Sequence, residues 1–220
     1  MKIRKINGIK TLFVESRFDI KLKNLDKIKI KEKRIGLVCN IQTYETLGLI
    51  KTYLEKKKHK VFIGGQILGC NVSNVLKIKD KIDALLFIGS GVFHPLELIN
   101  KIKVKNYYLF NPITSAFSVM NHKEIDLFVK KKNAKLAKYL ISKKIGILVS
   151  TKPGQEKLNL AIDFCNKCDK ESYIFLENNL DLNKLEDFPG IDYWVNTACP
   201  RLEGKGIISL RDILDFNQKI

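Results

Sequence analysis

Apolar runs of strand length alternate along this chain with stretches of 3.6-residue apolar spacing, and that alternation is the strongest constraint on its fold. The runs fall at residues 11–15, 34–39, 60–63, 84–88, 107–110, 145–150, 172–176 and 193–196. Helical spacing covers 44–54, 124–143 and 156–164. A strand that returns to its sheet through a helix pairs in parallel, so the pattern predicts an α/β fold with mainly parallel strands. Pro112 and Asn121 bracket a turn ahead of the long helical stretch, which places a domain boundary near residue 120. Residues 33–120 and 121–220 are then expected to be separate units.

The two units echo each other. Arg34-Ile35-Gly36-Leu37-Val38 matches Lys144-Ile145-Gly146-Ile147-Leu148, and Asp83-Ala84-Leu85-Leu86 matches Asp192-Tyr193-Trp194-Val195 at nearly the same spacing. The expected architecture is therefore two Rossmann-like parallel-sheet domains related by an internal repeat. In that alignment Ser90 falls opposite Cys199.

With 220 residues, 45% of them apolar, the chain has material for a sizeable core. Its net charge of +17 would suit a nucleic-acid partner. The cations are almost all lysines spread along predicted helices with few aromatic neighbours, however, which describes a solvated surface better than a nucleic-acid-binding face. Charges at Lys2, Arg4, Lys5, Lys10 and Glu15 leave no apolar signal segment, and no run approaches the roughly 20 apolar residues of a membrane span. The expectation is a cytoplasmic protein whose five cysteines are thiols or metal ligands, not a disulfide framework.

Ligands of parallel sheets bind where the strands end at their carboxyl edge. Five unusual turns fall there: Cys39-Asn40-Ile41-Gln42, residues 64–70, residues 89–95, residues 150–155 and residues 196–201. Cys70 and Cys199 each lie inside such a turn, in different halves of the chain and too far apart for a local zinc knuckle. A metal they share would lie between two folded units. Cys165-Asn166-Lys167-Cys168 lies near a predicted helix end without evident partners for a thiolate, and helix packing is its expected role.

Four of these strings, in order, resemble one family. Gly65-Gln66-Ile67-Leu68-Gly69-Cys70, Phe87-Ile88-Gly89-Ser90-Gly91-Val92-Phe93-His94-Pro95, Val149-Ser150-Thr151-Lys152-Pro153-Gly154-Gln155 and Asn196-Thr197-Ala198-Cys199-Pro200-Arg201 are similar to turns of the archaeal 2-(3-amino-3-carboxypropyl)histidine synthases, which perform the first step of diphthamide synthesis. The resemblance implies a noncanonical radical S-adenosylmethionine enzyme with three cysteines around one [4Fe-4S] cluster. Such an enzyme transfers a 3-amino-3-carboxypropyl group from S-adenosylmethionine to a histidine of elongation factor 2.

Carried onto this chain, the resemblance makes Cys70 and Cys199 two of the cluster ligands. Residues 1–32 resemble the tail of the family's first domain, and no residue matches that domain's ligand. The third thiolate would come from a separate chain or the partner of a homodimer, or locally from Cys39, whose more ordinary role is a buried strand-end cysteine. Lys152 and Gln155 sit where turn N–H groups and an ammonium suit the carboxylate of S-adenosylmethionine. Gln42, Gln66, Ser90, His94, Thr151 and Arg201 complete the expected contacts with that co-substrate. The alternatives are a noncatalytic accessory subunit of a split or heteromeric synthase and, from charge alone, a basic RNA-associated module.

Overall fold

Two separate, largely parallel sheets organise the chain. The computed structural model describes residues 2–6, 8–14, 16–68, 72–99 and 101–217, and the chain divides into unit 1, Met1–Asp126, and unit 2, Leu127–Ile220.

Unit 1 opens with an antiparallel hairpin of β1 (Lys2–Ile6) and β2 (Ile9–Phe13). It continues through β3 (Arg34–Cys39), α1 (Thr46–Lys56), β4 (Lys60–Gln66), α2 (Ser73–Leu76), β5 (Ala84–Ile88), α3 (Phe93–Ile99), β6 (Asn106–Asn111) and β7 (Ala116–Val119). The sheet order is β4-β3-β5-β6-β7; the first four strands are parallel, and β7 runs antiparallel to β6. β7 falls inside the stretch expected as a turn between Pro112 and Asn121: residues 112–115 form a tight turn, too short for a crossover, so the chain reverses into an antiparallel strand. The strand expected at 11–15 belongs instead to the separate two-stranded hairpin.

The middle of this sheet is buried on both faces, which is why β5 reads as an unbroken apolar run: all five of its residues are buried. On one face Ile35, Leu37, Leu86 and Ile88 are fully buried against Leu47, Ile50 and Leu54 of α1. Each such side chain contributes about 1.5–3 kcal/mol relative to exposure. Ile28 and Ile30 join the same cluster, and Glu32 ties their segment to the sheet by accepting from Asn106 Nδ2 at 2.6 Å and Tyr108 Oη at 2.9 Å.

Unit 2 contains most of α4 (His122–Ile141), then β8 (Lys144–Ser150), α5 (Leu158–Lys167), β9 (Glu171–Glu177), β10 (Tyr193–Asn196), β11 (Ile207–Ser209) and α6 (Leu210–Asn217). Its sheet order is β11-β10-β8-β9, all parallel. One face packs Ile145, Ile147 and Val149 against Ala161 and Phe164 of α5, Tyr139 of α4 and Ile213 of α6. The other packs Leu148, Trp194 and Ile207 beneath Phe175, Leu182 and Leu185. On that face the chain passes from β9 to β10 by a short 3-10 helix, Leu182–Asp187, and not by an α-helix. Gly146 sits directly opposite Trp194, and a Cβ there would run into the indole ring.

The two sheets are entered alike. Asp83 N–H donates to Arg34 O at 2.8 Å in unit 1, and Asp192 N–H donates to Lys144 O at 2.9 Å in unit 2. The two carboxylates then diverge. Asp83 pairs with the Arg34 guanidinium at 2.6 Å, whereas Asp192 accepts from the backbone N–H groups of Lys143 and Lys144 at 2.9 and 2.8 Å.

Two outcomes follow from this packing. Gly146→Ala overpacks the Trp194 face and lowers stability by about 1–3 kcal/mol, read as a lower urea midpoint in Trp194 emission. Cys39 is fully buried, and burial pushes its thiol up to about 12, with the Thr43 hydroxyl pulling the other way. A folded-state value above the unfolded one means stability is fully present below about pH 8.5 and is lost as pH rises through 12. Cys39→Val should therefore flatten the fall in stability measured between pH 9 and 11.

Candidate functional site

The carboxyl edge of the unit 1 sheet is built by three strand ends. At β3, Asn40 caps the 3-10 helix Ile41–Thr43, its Oδ1 accepting from Thr43 N–H at 3.2 Å. The Thr43 hydroxyl lies 2.7 Å from the Ile88 carbonyl and so ties this turn to the end of β5. At β4 the register with β3 slips after Leu37, and Gly65 takes φ +72°. A side chain at Gly64 would sit 2.8 Å from Val38 Cγ1. The Gly64-Gly65 pair is thus a bulge that only glycine fills comfortably, and it swings Gln66 to the edge.

There Gln66 lines a polar cavity of about 270 Å³ with Arg17, Ile41, Tyr44, Gly65 and Asn74. Arg17 lies 5.4 Å over the Tyr44 ring and is ion-paired with Glu45. Gln42 stands in the same turn as Ile41, half-buried, its carbonyl accepting from Phe18 N–H at 2.9 Å. Gly69, Cys70 and Asn71 lie outside the described residues; Gln66 and Asn74 both line the cavity. At the end of β5, Ser90 is exposed, and the half-buried His94 ring packs 6.2 Å from Phe87 and edge-on to Phe93 at 5.4 Å.

The unit 2 edge is more tightly bonded. The buried Ser150 Oγ donates to Asn178 O and accepts from Lys152 N–H, each at 3.2 Å. Thr151 N–H donates to Glu177 O at 3.1 Å. The N–H groups of Gln155 and Glu156 both donate to Lys152 O at 3.0 Å, and the Glu156 carboxylate accepts from Leu158 N–H at 2.9 Å at the start of α5. The N–H groups of Thr151, Lys152, Gln155 and Glu156 are thus already bonded within the protein. The Thr151 and Lys152 side chains are exposed, and Gln155 is half-buried.

At the end of β10, Asn196 is 2% exposed and makes three hydrogen bonds around the next loop. Its Oδ1 accepts from Ala198 N–H at 2.8 Å, and its Nδ2 donates to Cys199 O at 2.8 Å and Leu202 O at 3.2 Å. Thr197 Oγ1 anchors the same loop to Leu148 O at 2.9 Å. Cys199 therefore stands half-buried on a clamped loop with a free thiol, and the exposed Arg201 follows it.

Cys39 is placed oppositely, inside the core with its Sγ 3.9 Å from Gly65 O. Its raised pKa disfavours the thiolate that a metal requires. Cys165 and Cys168 pack against the core of unit 2, with Ser172 Oγ 3.3 Å from Cys165 Sγ and Tyr139 Oη 3.9 Å from Cys168 Sγ. Among the described residues, no three His, Cys, Asp or Glu side chains converge as a metal site, and no helix is long and apolar enough to cross a membrane.

Each sheet thus gathers its own expected residues: Gln42, Gln66, Ser90 and His94 in unit 1, and Thr151, Lys152, Gln155, Cys199 and Arg201 in unit 2. Arg17, Tyr44 and Asn196 were missed. Arg17 lies in an irregular segment with no periodic signal, whereas Asn196, a polar residue closing an apolar strand, carried a readable one.

Comparison with known proteins agrees with the family resemblance. A family model described as putative diphthamide synthesis protein matches residues 2–208. The 2-(3-amino-3-carboxypropyl)histidine synthase of Pyrococcus horikoshii is 35% identical over 191 residues, covering 81% of this chain and 54% of that protein. The enzyme of the same name from Methanocaldococcus jannaschii is 30% identical over 210 residues, covering 88% and 56%. The crystal structure of Dph2 from Pyrococcus horikoshii with a 4Fe-4S cluster superposes with a TM-score of 0.69 at 30% identity, covering 84% of this chain and 58% of that one. The chain spans about half the length of the curated relatives it matches. By the extent of the family match and by these identities, the chain belongs to the diphthamide synthesis protein family.

Proposed function

We propose that this chain is the part of a 2-(3-amino-3-carboxypropyl)histidine synthase that holds two ligands of a [4Fe-4S] cluster and binds S-adenosylmethionine, with a histidine of elongation factor 2 as acceptor. The observation that carries the reading is the Asn196 clamp, which holds a half-buried thiol, Cys199, at the carboxyl edge of a parallel sheet. Thiolates are the usual protein ligands of iron–sulfur clusters, so the donor chemistry at Cys199 fits, and Cys70 is the matching ligand of unit 1. Cys70 and Cys199 would hold the cluster, which when reduced would supply the single electron that cleavage of the Cγ–S bond of S-adenosylmethionine requires.

The chain's own residues bind and orient. The Lys152 ammonium and Gln155 amide take the methionine carboxylate, and Gln42, Gln66, Ser90, His94, Thr151 and Arg201 line the approach. Asn196 is a positioning residue that keeps the Cys199 loop in one conformation. Two Rossmann-like domains related by a repeat suit this arrangement: the strand orders β4-β3-β5 and β9-β8-β10 correspond, and Asp83 and Asp192 make the same backbone bond. In this reading residues 1–32 are the tail of the family's first domain, 33–120 and 121–220 carry one ligand each, and the protein works in the cytoplasm.

The burial of Cys39 favours a third thiolate from outside these two units, supplied by a second copy or a partner chain. The same observation favours a second reading, a noncatalytic accessory subunit of a heteromeric synthase. The two readings part at Cys199→Ala. With the partner present, modification of elongation factor 2 is lost if this chain is catalytic and persists if it is accessory.

Anaerobic reconstitution, alone and with a candidate partner, should give about four iron and four sulfide per cluster and a broad brown absorption. A protein that assembles no cluster in either setting ends the catalytic reading. Asn196→Ala should leave the far-ultraviolet circular dichroism unchanged, lower the stability of unit 2 by about 1–3 kcal/mol and speed iron loss to a chelator.

A further inference from the structure

Away from the strand-end turns, unit 2 holds a pair of sulfur side chains that the proposed activity does not use. Cys165 lies in the last turn of α5, and Cys168 directly follows the helix. The Cys168 N–H donates to the Cys165 carbonyl at 3.2 Å. A turn closed by such a bond keeps its first and fourth Cα atoms within about 7 Å, close to the span that a disulfide bridges. Both cysteines are half-buried and pack against one core cluster with Tyr139, Ala161 and Phe164, whereas Asn166 and Lys167 between them are exposed. The two sulfurs therefore lie on the same, inner side of the turn.

Each sulfur also meets a hydroxyl. Ser172 Oγ, at the start of β9, donates to Cys165 Sγ at 3.3 Å, and Tyr139 Oη of α4 lies 3.9 Å from Cys168 Sγ. An apolar side chain of similar size would fill either position but make neither contact. A hydroxyl that donates to sulfur favours the thiolate over the thiol, and the thiolate is the form that attacks a disulfide. Cys165 is thus the attacking group. Cys168 stands at the carboxyl end of α5, where the helix dipole opposes negative charge, and is the resolving one. The other described cysteines are placed differently: Cys39 is sealed in the core of unit 1, and the turn of Cys199, residues 196–201, contains no second cysteine.

We propose that Cys165 and Cys168 are a redox-sensitive dithiol that closes to a local disulfide by exchange with a low-molecular-weight disulfide. The Cys165 thiolate attacks one sulfur of the small disulfide, forming a mixed disulfide and releasing the other half as a thiolate. Cys168 gives its proton to solvent, attacks the Cys165 sulfur and expels the second half. Two protein thiols lose two electrons and two protons, and the small disulfide becomes two thiols. Closure draws the sulfurs together and away from the hydroxyls of Tyr139 and Ser172, so the redox state reaches the contacts of α5 with α4 and β9. A transient bridge of this kind is compatible with a reducing compartment, where a structural disulfide is rare.

Lys167 sits between the two cysteines and makes the bridge easy to read. The full chain is reduced, freed of reductant and equilibrated in glutathione buffers of rising oxidised-to-reduced ratio; free thiols are then alkylated and the protein is cut with trypsin without reduction. Cleavage after Lys157, Lys167 and Lys170 leaves residues 158–167 and 168–170 as one linked species if the disulfide is closed, and as two alkylated peptides if it is open. The linked species should rise along the series and vanish when a dithiol reductant is added. Cys165→Ser and Cys168→Ser should each abolish it and leave a glutathione adduct on the remaining cysteine. The wild-type series decides the matter even if neither variant folds. Two peptides that stay separate throughout, or a Cys165 or Cys168 found bridged to another cysteine of the chain, overturn the inference.

Discussion

Parallel pairing around a buried central strand governs each half of this protein. A parallel neighbour requires the chain to cross back over the sheet, so every strand in the set ends at the same edge. β3 in unit 1 and β8 in unit 2 are the strands on which the others register, and both are buried nearly throughout. The proposed function hangs from that consequence. Asn40, Gln66 and Gly89 meet at one edge, and Ser150, Glu177 and Asn196 at the other, because the helices and connecting segments return the chain to the opposite side each time.

Burial then sorts chemically identical side chains into different roles. Cys39 ends one apolar strand and Cys199 follows another, yet Cys39 is buried in the core cluster with Leu47 and Ile50, where burial raises its thiol pKa. Cys199 lies three residues past its strand, on a loop whose backbone groups are taken up by Asn196. A side-chain amide is well suited to that task, since it donates and accepts at once and can satisfy three orphaned backbone groups.

The strand positions were legible because buried parallel strands leave a dense apolar signal, and 34–39, 84–88, 145–150 and 193–196 appear where that signal is strongest. Two short edge strands were not: β7 has one half-buried residue among exposed ones, and β11 has only three residues. The hairpin β1–β2 shared an apolar run with neighbouring charged residues and pairs only with itself. Arg17 reached the Gln66 cavity from a segment with no regular structure, a placement that depends on Phe18 N–H bonding Gln42 O.

Sequence alone determined the alternation of strands and helices, the turns that recur at strand ends and the motifs that mark the family. These are local properties, set by side-chain periodicity and by glycine, proline and asparagine chemistry within a few residues. Tertiary structure decided which of those residues are available. It sealed Cys39, bonded the N–H groups of Thr151, Lys152, Gln155 and Glu156 to other protein groups, and opened a cavity between β9 and the segment after it. The physical reason is that exposure, thiol ionisation and cavity shape depend on atoms brought together from distant positions, as Phe175, Phe188 and Trp194 are, and no window of sequence contains them.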